Sequence, residues 1–289
     1  MRYEGMIVRP PSEADSYLLQ ITYGCSHNKC AFCGTYLGTK FRLRHMDEIL
    51  TDITMAHKVI PHTRRVFLCD GDAMMLPTQH LLKIMEALNT AFPDLQRIGI
   101  YTNARDILKK DETELAELSR HKLTIGYLGL ESGNDEILKR INKGATAKEM
   151  IEAVQRAQRN NIKMSVIGLI GLGGKELSKE HAIDTAKTVN LMNPRYFSLL
   201  TLMLVPGTPL AKDYEKGRFT LPEAEDMVKE IRTVVANLDS EHTIFRANHA
   251  SNYAPLAGTF NKDKKRLLSE IDDYLSGKYD FRPEFLRGL

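Results

Sequence analysis

Tyr17-Leu-Leu-Gln-Ile-Thr-Tyr23-Gly-Cys25-Ser-His-Asn-Lys-Cys30-Ala-Phe-Cys33 is the stretch that decides the fold of this chain. A short β-rich run leads straight into three cysteines within nine residues, and the only other cysteine is Cys69. Thiolates select zinc, copper(I) or iron–sulfur clusters over harder ions. Three of them on one loop suit a [4Fe–4S] cluster with one iron left open to another ligand. Zinc would need a fourth ligand, His27 or Cys69, and it favours paired Cys-x-x-Cys knuckles, of which this chain has one. Unrelated buried thiols are the third reading.

The rest of the composition describes an ordinary globular protein. With 289 residues, 43% apolar and 27% charged, the chain can bury a sizeable core. No run of about 18 apolar residues occurs, which argues against a transmembrane helix. The first sixteen residues, MRYEGMIVRPPSEADS, lack the apolar centre of a signal peptide. Few cysteines and no export signal point to a reducing, cytoplasmic setting in which thiols bind metals rather than pair. A net charge of +3 does not by itself argue for nucleic acid or a membrane surface. The basic run Lys262–Arg266 reads as a solvated helix start.

Periodicity gives alternating strands and helices. The β-rich runs are Tyr17–Tyr23, Arg65–Cys69, Arg97–Tyr101, Leu123–Leu130, Lys163–Ile170 and Tyr196–Leu204. Amphipathic helices are expected at His45–Val59, Thr78–Ala91, Lys110–Ser119, Thr146–Asn160 and Ser178–Asn190. Thr78 and Thr146 are read as helix starts, the latter with Glu149 three residues on as a capping box. Six strand–helix units predict a parallel sheet, either a partial barrel or an open wound sheet. Both place ligands at the carboxyl ends of the strands.

Every chemically suggestive segment falls at such an end. After the cysteine loop come Asp70-Gly71-Asp72, Thr102-Asn103, Glu131-Ser132-Gly133, Gly171-Leu-Gly173-Gly174 and Pro206-Gly207-Thr208-Pro209. Singly, the glycine pair and the Pro-Gly-Thr-Pro segment are turns. Six polar strand ends in succession describe a site.

On these residues the chain resembles the radical S-adenosylmethionine (SAM) superfamily. It is most similar to the branch of methylthiotransferases, elongator-type catalytic subunits and coproporphyrinogen dehydrogenase-like proteins. The likeness runs from Tyr17 to Leu210. It is carried by the cysteine loop with Phe32 before its last cysteine, by Tyr127-Leu-Gly-Leu-Glu131-Ser-Gly-Asn-Asp-Glu-Ile-Leu-Lys-Arg-Ile-Asn-Lys-Gly144, by the glycines after the fifth strand and by Val205-Pro-Gly-Thr-Pro-Leu210. Two features depart from the family pattern: four residues rather than three separate Cys25 from Cys30, and Asp70-Gly71-Asp72 stands where Gly-Gly-Glu is usual.

The resemblance implies a partial (β/α)6 TIM-like barrel over residues 17–215, after a lead-in of residues 1–16. Residues 216–289 would form a mainly helical C-terminal extension closing the barrel, with helices at Leu221–Leu238 and Lys262–Leu275. Cys25, Cys30 and Cys33 would ligate a [4Fe–4S] cluster, and SAM would chelate the open iron. An electron from a flavodoxin or ferredoxin-type donor would then cleave SAM to methionine and a 5′-deoxyadenosyl radical. Asp72 with Gly71 would receive the methionine ammonium, and Arg156 the carboxylate. Glu131 would take the ribose hydroxyls, with Asn103 and Ser132 beside them. Phe32 and the backbone at Leu169, Gly171 and Gly173 would meet adenine, and Ser165 would face the lumen. Bland alternatives stand beside several of these: a core wedge for Phe32, a surface arginine for Arg156, a structural serine for Ser165 and a small buried hydrophobe for Cys69.

Arg246 and His249, in Phe245-Arg-Ala-Asn248-His249-Ala-Ser251-Asn252, are the candidate catalytic residues toward a small-molecule substrate, against a structural histidine. There is no second cysteine cluster and no room for a cobalamin domain after the sixth strand. Hydrogen abstraction from a small molecule is therefore the simplest outcome. A radical methyltransferase or a tRNA-modifying enzyme is the alternative, and a zinc- or Fe–S-stabilised binding module the non-enzymatic one. The weak basic balance argues against nucleic acid.

Overall fold

The computed structural model describes residues 2–288. Its elements begin with β1 (Tyr17–Gln20), β2 (Thr22–Tyr23), β3 (Arg42–Leu43), α1 (Met46–Val59), β4 (Arg65–Cys69), α2 (Thr78–Ala91) and β5 (Arg97–Thr102). Next come α3 (Ala104–Leu108), α4 (Glu112–Arg120), β6 (Leu123–Glu131), α5 (Asp135–Arg140), α6 (Ala147–Arg159), β7 (Lys163–Ile170) and α7 (Ser178–Met192). The last are β8 (Tyr196–Thr201), α8 (Pro209–Glu215), α9 (Ala224–Asn237), β9 (Ile244–Ala247), β10 (Leu256–Thr259) and α10 (Lys264–Leu275). Among the described residues one mixed, mostly parallel sheet runs β1-β4-β5-β6-β7-β8-β9-β10, and β2 pairs with β3 in a separate ribbon. No helix among them is long and apolar enough to cross a membrane.

The chain divides into two compact units. The first comprises Met1–Asn28, Tyr36–Leu128 and Arg156–Met164. In it β1, β4 and β5 pair in parallel, with Leu19 opposite Leu68 and Phe67 opposite Gly99. Four of the five residues of β4 are buried, as expected of a parallel strand covered on both faces. On one side Phe67 meets the Tyr101 and Tyr127 rings edge-on at 4.8 and 5.5 Å. On the other, α1 contributes Ile49, Ile53 and Ala56, and α2 contributes Leu81, Ile84, Met85 and Leu88, each set at three- and four-residue spacing.

The second unit comprises Lys29–Thr35, Gly129–Gln155 and Ser165–Leu289. Here β8 pairs in parallel with both β7 and β9, and β10 is antiparallel to β9. Phe245 packs against Phe197 and Phe260, with ring centroids 6.1 and 5.7 Å apart.

Several expectations shift. The run Tyr17–Tyr23 breaks at Ile21, because β2 leaves β1 to pair with β3. Thr78 does not cap α2: Pro77 holds the cap position, no side chain caps it, and Thr78 lies inside the helix. Thr146 does cap, exchanging bonds with Glu149 in both directions. The C-terminal extension carries β9 and β10 besides its helices, so a mainly helical reading misses two strands.

Candidate functional site

In the first unit, Asp72 follows β4 and is fully buried. Its carboxylate accepts from the Ser26 hydroxyl, next to Cys25, and from Asn103 Nδ2 at 2.7 Å. Asn103 works twice, since its side-chain oxygen caps α3 by accepting from the Asp106 N–H at 3.1 Å. Asp106 had no place in the sequence reading. Burial, and then the hydrogen bond and charge of Asp72, push its carboxyl up to about 8, so at neutral pH it carries a proton.

Asp70 does different work. It accepts from Gln20 Nε2 at 3.0 Å and from the Tyr36 hydroxyl at 3.1 Å, tying β1 to the segment beyond the cysteines. Burial raises its carboxyl above the ordinary range. Gly71 is required by close approach: a Cβ there would stand 2.5 Å from the Tyr36 ring and 3.2 Å from Cys25 Cβ. The second strand end therefore lies against the first cysteine. Cys69 is fully buried, and burial pushes its thiol up, as suits a small hydrophobe. Arg156 donates through one terminal nitrogen to the Leu108 and Lys110 carbonyls at 3.1 and 3.3 Å.

In the second unit, Cys30 and Cys33 sit on one turn closed by Cys33 N–H to Cys30 O at 3.2 Å. That turn is anchored on both sides: Ala31 N–H donates to Ile141 O at 2.8 Å, and Ala31 O accepts from Leu210 N–H at 2.9 Å. A Cβ on Gly34 would come within 2.4 Å of a Val205 methyl. The Val205–Leu210 segment is thus a brace for the cysteine turn as well as a turn in its own right. Cys25, Cys30, Cys33 and Phe32 are half-buried. Among the described residues no three His, Cys, Asp or Glu side chains are gathered as a metal group.

Glu131 ends β6 in the left-handed region at φ 64° and is mostly buried. Its Oε1 pairs with Lys143 Nζ at 2.8 Å. At the end of β7, two backbone groups expected at adenine are already engaged. Leu169 O accepts from His181 Nε2 at 3.1 Å, and Gly171 N–H donates to Glu230 at 2.7 Å. Gly173 packs against α7, where a Cβ would lie 2.9 Å from Leu177 O. Ser165 is buried on β7 opposite Tyr196.

Arg246 lies exposed on β9. His249 is half-buried, and its Nδ1 shares hydrogen bonds with the Ser251 hydroxyl and N–H. Burial first, and the nearby Arg282 second, lower its pKa, which keeps the imidazole neutral at pH 7.

A sequence profile of the Radical SAM superfamily matches residues 19–189, more than half of the chain and every strand end from the cysteine loop to Gly174. The chain belongs to the radical SAM superfamily. Members of this superfamily are enzymes, among them coproporphyrinogen III oxidase HemN of Escherichia coli, whose structure is similar at a TM-score of 0.60 and 18% identity, covering 76% of this chain and 51% of that one. The heme chaperone HemW of Bacillus subtilis is 24% identical over 194 residues, 65% of this chain and 49% of its own length. The radical SAM methyltransferase TsrM of Kitasatospora setae, solved with cobalamin and a [4Fe–4S] cluster bound, matches at a TM-score of 0.56 and 18% identity over 72% of this chain and 41% of that one. The chain thus spans about half the length of HemW. The likeness to HemN supports the partial barrel that the resemblance implies, one of the two forms the alternating pattern leaves open.

Proposed function

We propose that this protein is a radical SAM enzyme that binds a [4Fe–4S] cluster through Cys25, Cys30 and Cys33 and abstracts hydrogen from a small-molecule substrate. The observation that carries the reading is the cysteine loop itself. It lies at the first strand end of a chain whose residues 19–189 match the family, and it offers three half-buried thiols where the fourth cysteine is sealed in the core. The donor set fits: soft, partly exposed sulfur suits iron–sulfur ligation, and three donors leave one iron for SAM. When bound, cluster and SAM together supply one-electron reductive cleavage and hydrogen-atom abstraction.

This chain's own residues bind and orient. Asp72, held by Ser26 and Asn103, presents a fixed acceptor for the methionine ammonium. Glu131, held by Lys143, presents a carboxylate for the ribose hydroxyls. The braces from Ile141 and Leu210 fix the turn that carries Cys30 and Cys33. Arg246 and His249 serve the substrate: the exposed guanidinium pairs an anionic group, and the neutral imidazole offers Nε2. A flavodoxin or ferredoxin-type protein delivers the electron.

Anaerobic reconstitution tests this. We expect about four irons and four sulfides per chain, and loss of both in Cys30→Ala. With dithionite the protein should release 5′-deoxyadenosine and methionine. Arg246→Ala and His249→Ala should keep that basal cleavage but lose its stimulation by substrate. A preparation that holds one zinc and takes up no iron would replace this reading with a zinc-stabilised binding module.

A further inference from the structure

A buried polar couple connects two turns of the second unit. His181, on α7, and Glu230, on α9, are 1% and 2% exposed, and Nε2 of the one lies 3.5 Å from Oε1 of the other. Unpaired groups of this kind are costly to bury, so what they bond to indicates why they are kept.

The bonds run to the two strand ends. His181 Nε2 donates to the Leu169 carbonyl at 3.1 Å, which fixes a hydrogen on that nitrogen. Nδ1 lies 2.8 Å from the Ser132 hydroxyl. Ser132 Oγ also accepts from Asn134 N–H at 3.0 Å. A continuous chain results, from Asn134 through Ser132 and His181 to Leu169. Glu230 accepts from Gly171 N–H at 2.7 Å with one oxygen and from the Ser178 hydroxyl with the other. Thr185, one turn after His181, takes the Gly133 N–H at 3.0 Å, and Asp184 takes Asn134 Nδ2 at 2.8 Å.

Ser132 and Gly171 directly follow β6 and β7, and Leu169 is the last residue but one of β7. On α7 itself the couple meets Ser178 and, at 3.5 Å, the Thr185 hydroxyl. Apolar side chains of similar volume would serve helix packing at least as well, so packing alone does not call for these two polar groups.

We propose that His181 and Glu230 are positioning residues for SAM: together they set the turns at residues 131–134 and 169–173, and so the affinity for the adenosine half of the molecule. The assignment rests on the proposed SAM-binding role of Glu131 and on the adenine contact that the family resemblance implies for the segment 169–173. The couple does not touch SAM. It aligns the groups that do, in the way outer hydrogen bonds orient metal ligands.

The test uses reconstituted, anaerobic protein and equilibrium dialysis with SAM. Glu230→Leu and His181→Ala should each weaken SAM binding about tenfold or more, the equivalent of one well-made buried hydrogen bond, with iron content unchanged. For substrate-free cleavage at saturating SAM, KM should rise and kcat should change little. His181→Gln, whose amide can still donate toward Leu169, should recover part of the affinity. Val235→Ala is the control: it opens a cavity under α9, lowers thermal stability, and touches neither turn. If His181→Ala does not fold, Ser132→Ala severs the same chain from its other end.

SAM affinity within twofold of wild type in Glu230→Leu and Ser132→Ala would overturn the proposal. So would an equal loss in Val235→Ala, which would reduce the couple to a packing element. Wild-type protein with a full cluster and no SAM binding would instead sink the functional reading on which the proposal stands.

Discussion

Replacing Lys143 with methionine isolates what holds Glu131 at its strand end. The two charges lie 2.8 Å apart, and their side chains are 14% and 12% exposed. At an effective dielectric of about 20, unit charges at that distance attract by roughly 6 kcal/mol before desolvation is subtracted. Removing one partner of a buried pair costs about 3–5 kcal/mol, and the residual exposure here points to the low end, about 3 kcal/mol. Methionine keeps the length of the aliphatic stem, so the loss reports charge rather than a cavity. Urea unfolding followed by far-UV circular dichroism reads the difference. The decisive comparison is a double-mutant cycle with Glu131→Gln. Once the carboxylate is gone, Lys143→Met should cost far less, giving a coupling of about 2 kcal/mol. A coupling below about 0.5 kcal/mol would refute the argument, because the pair would then be no more than a surface contact.

Gly133→Ala should destabilise by about 3 kcal/mol, near the top of the overpacking range, because the added carbon would lie 2.2 Å from Asp184 O and 2.6 Å from Thr185 N, both helix backbone. A thermal midpoint unchanged within a degree would contradict that. Asp106 holds its proton in the folded state up to about pH 8 but ionises near 3.8 when unfolded. Between those values the folded state binds more protons, so this group's contribution falls as pH rises, by up to about 1.4 kcal/mol per unit. Asp106→Asn should therefore gain on wild type from about pH 4 to about pH 8, and parallel stability profiles would show that folding does not raise the Asp106 pKa.

The parallel core was legible because its strands are continuous apolar runs separated by amphipathic helices of ordinary length. Lys163–Ile170 and Thr78–Ala91 appear at the expected bounds. The polar strand ends were legible for the same reason, as breaks in those runs. What escaped was tertiary. β9 reads Ile-Phe-Arg-Ala and β10 Leu-Ala-Gly-Thr, each four residues long, too short and too mixed for a period of two to stand out. Thr78 looked like a cap because threonine before an apolar run often is one, but Pro77 sets the entry with its fixed φ.

The His181–Glu230 couple left a faint signal. Glu230 falls between Met227, Ile231 and Val234 on the buried face of α9, and His181 shares a buried stripe of α7 with Thr185 and Thr188. A carboxylate on an apolar stripe can be noticed in a sequence, but its partner cannot be named without the fold. Asp106 gave no signal at all, since its raised pKa depends on burial and on Asp72 brought from another strand end.

The central claim, that three thiols leave an open iron to which SAM binds, is tested most directly by electron paramagnetic resonance. The spectrum of the dithionite-reduced, reconstituted protein is recorded with and without SAM. A cluster signal that shifts on adding SAM, and that is absent from Cys30→Ala, is the result this account predicts. An iron signal indifferent to saturating SAM, or zinc-bound protein with no cluster signal, would contradict it.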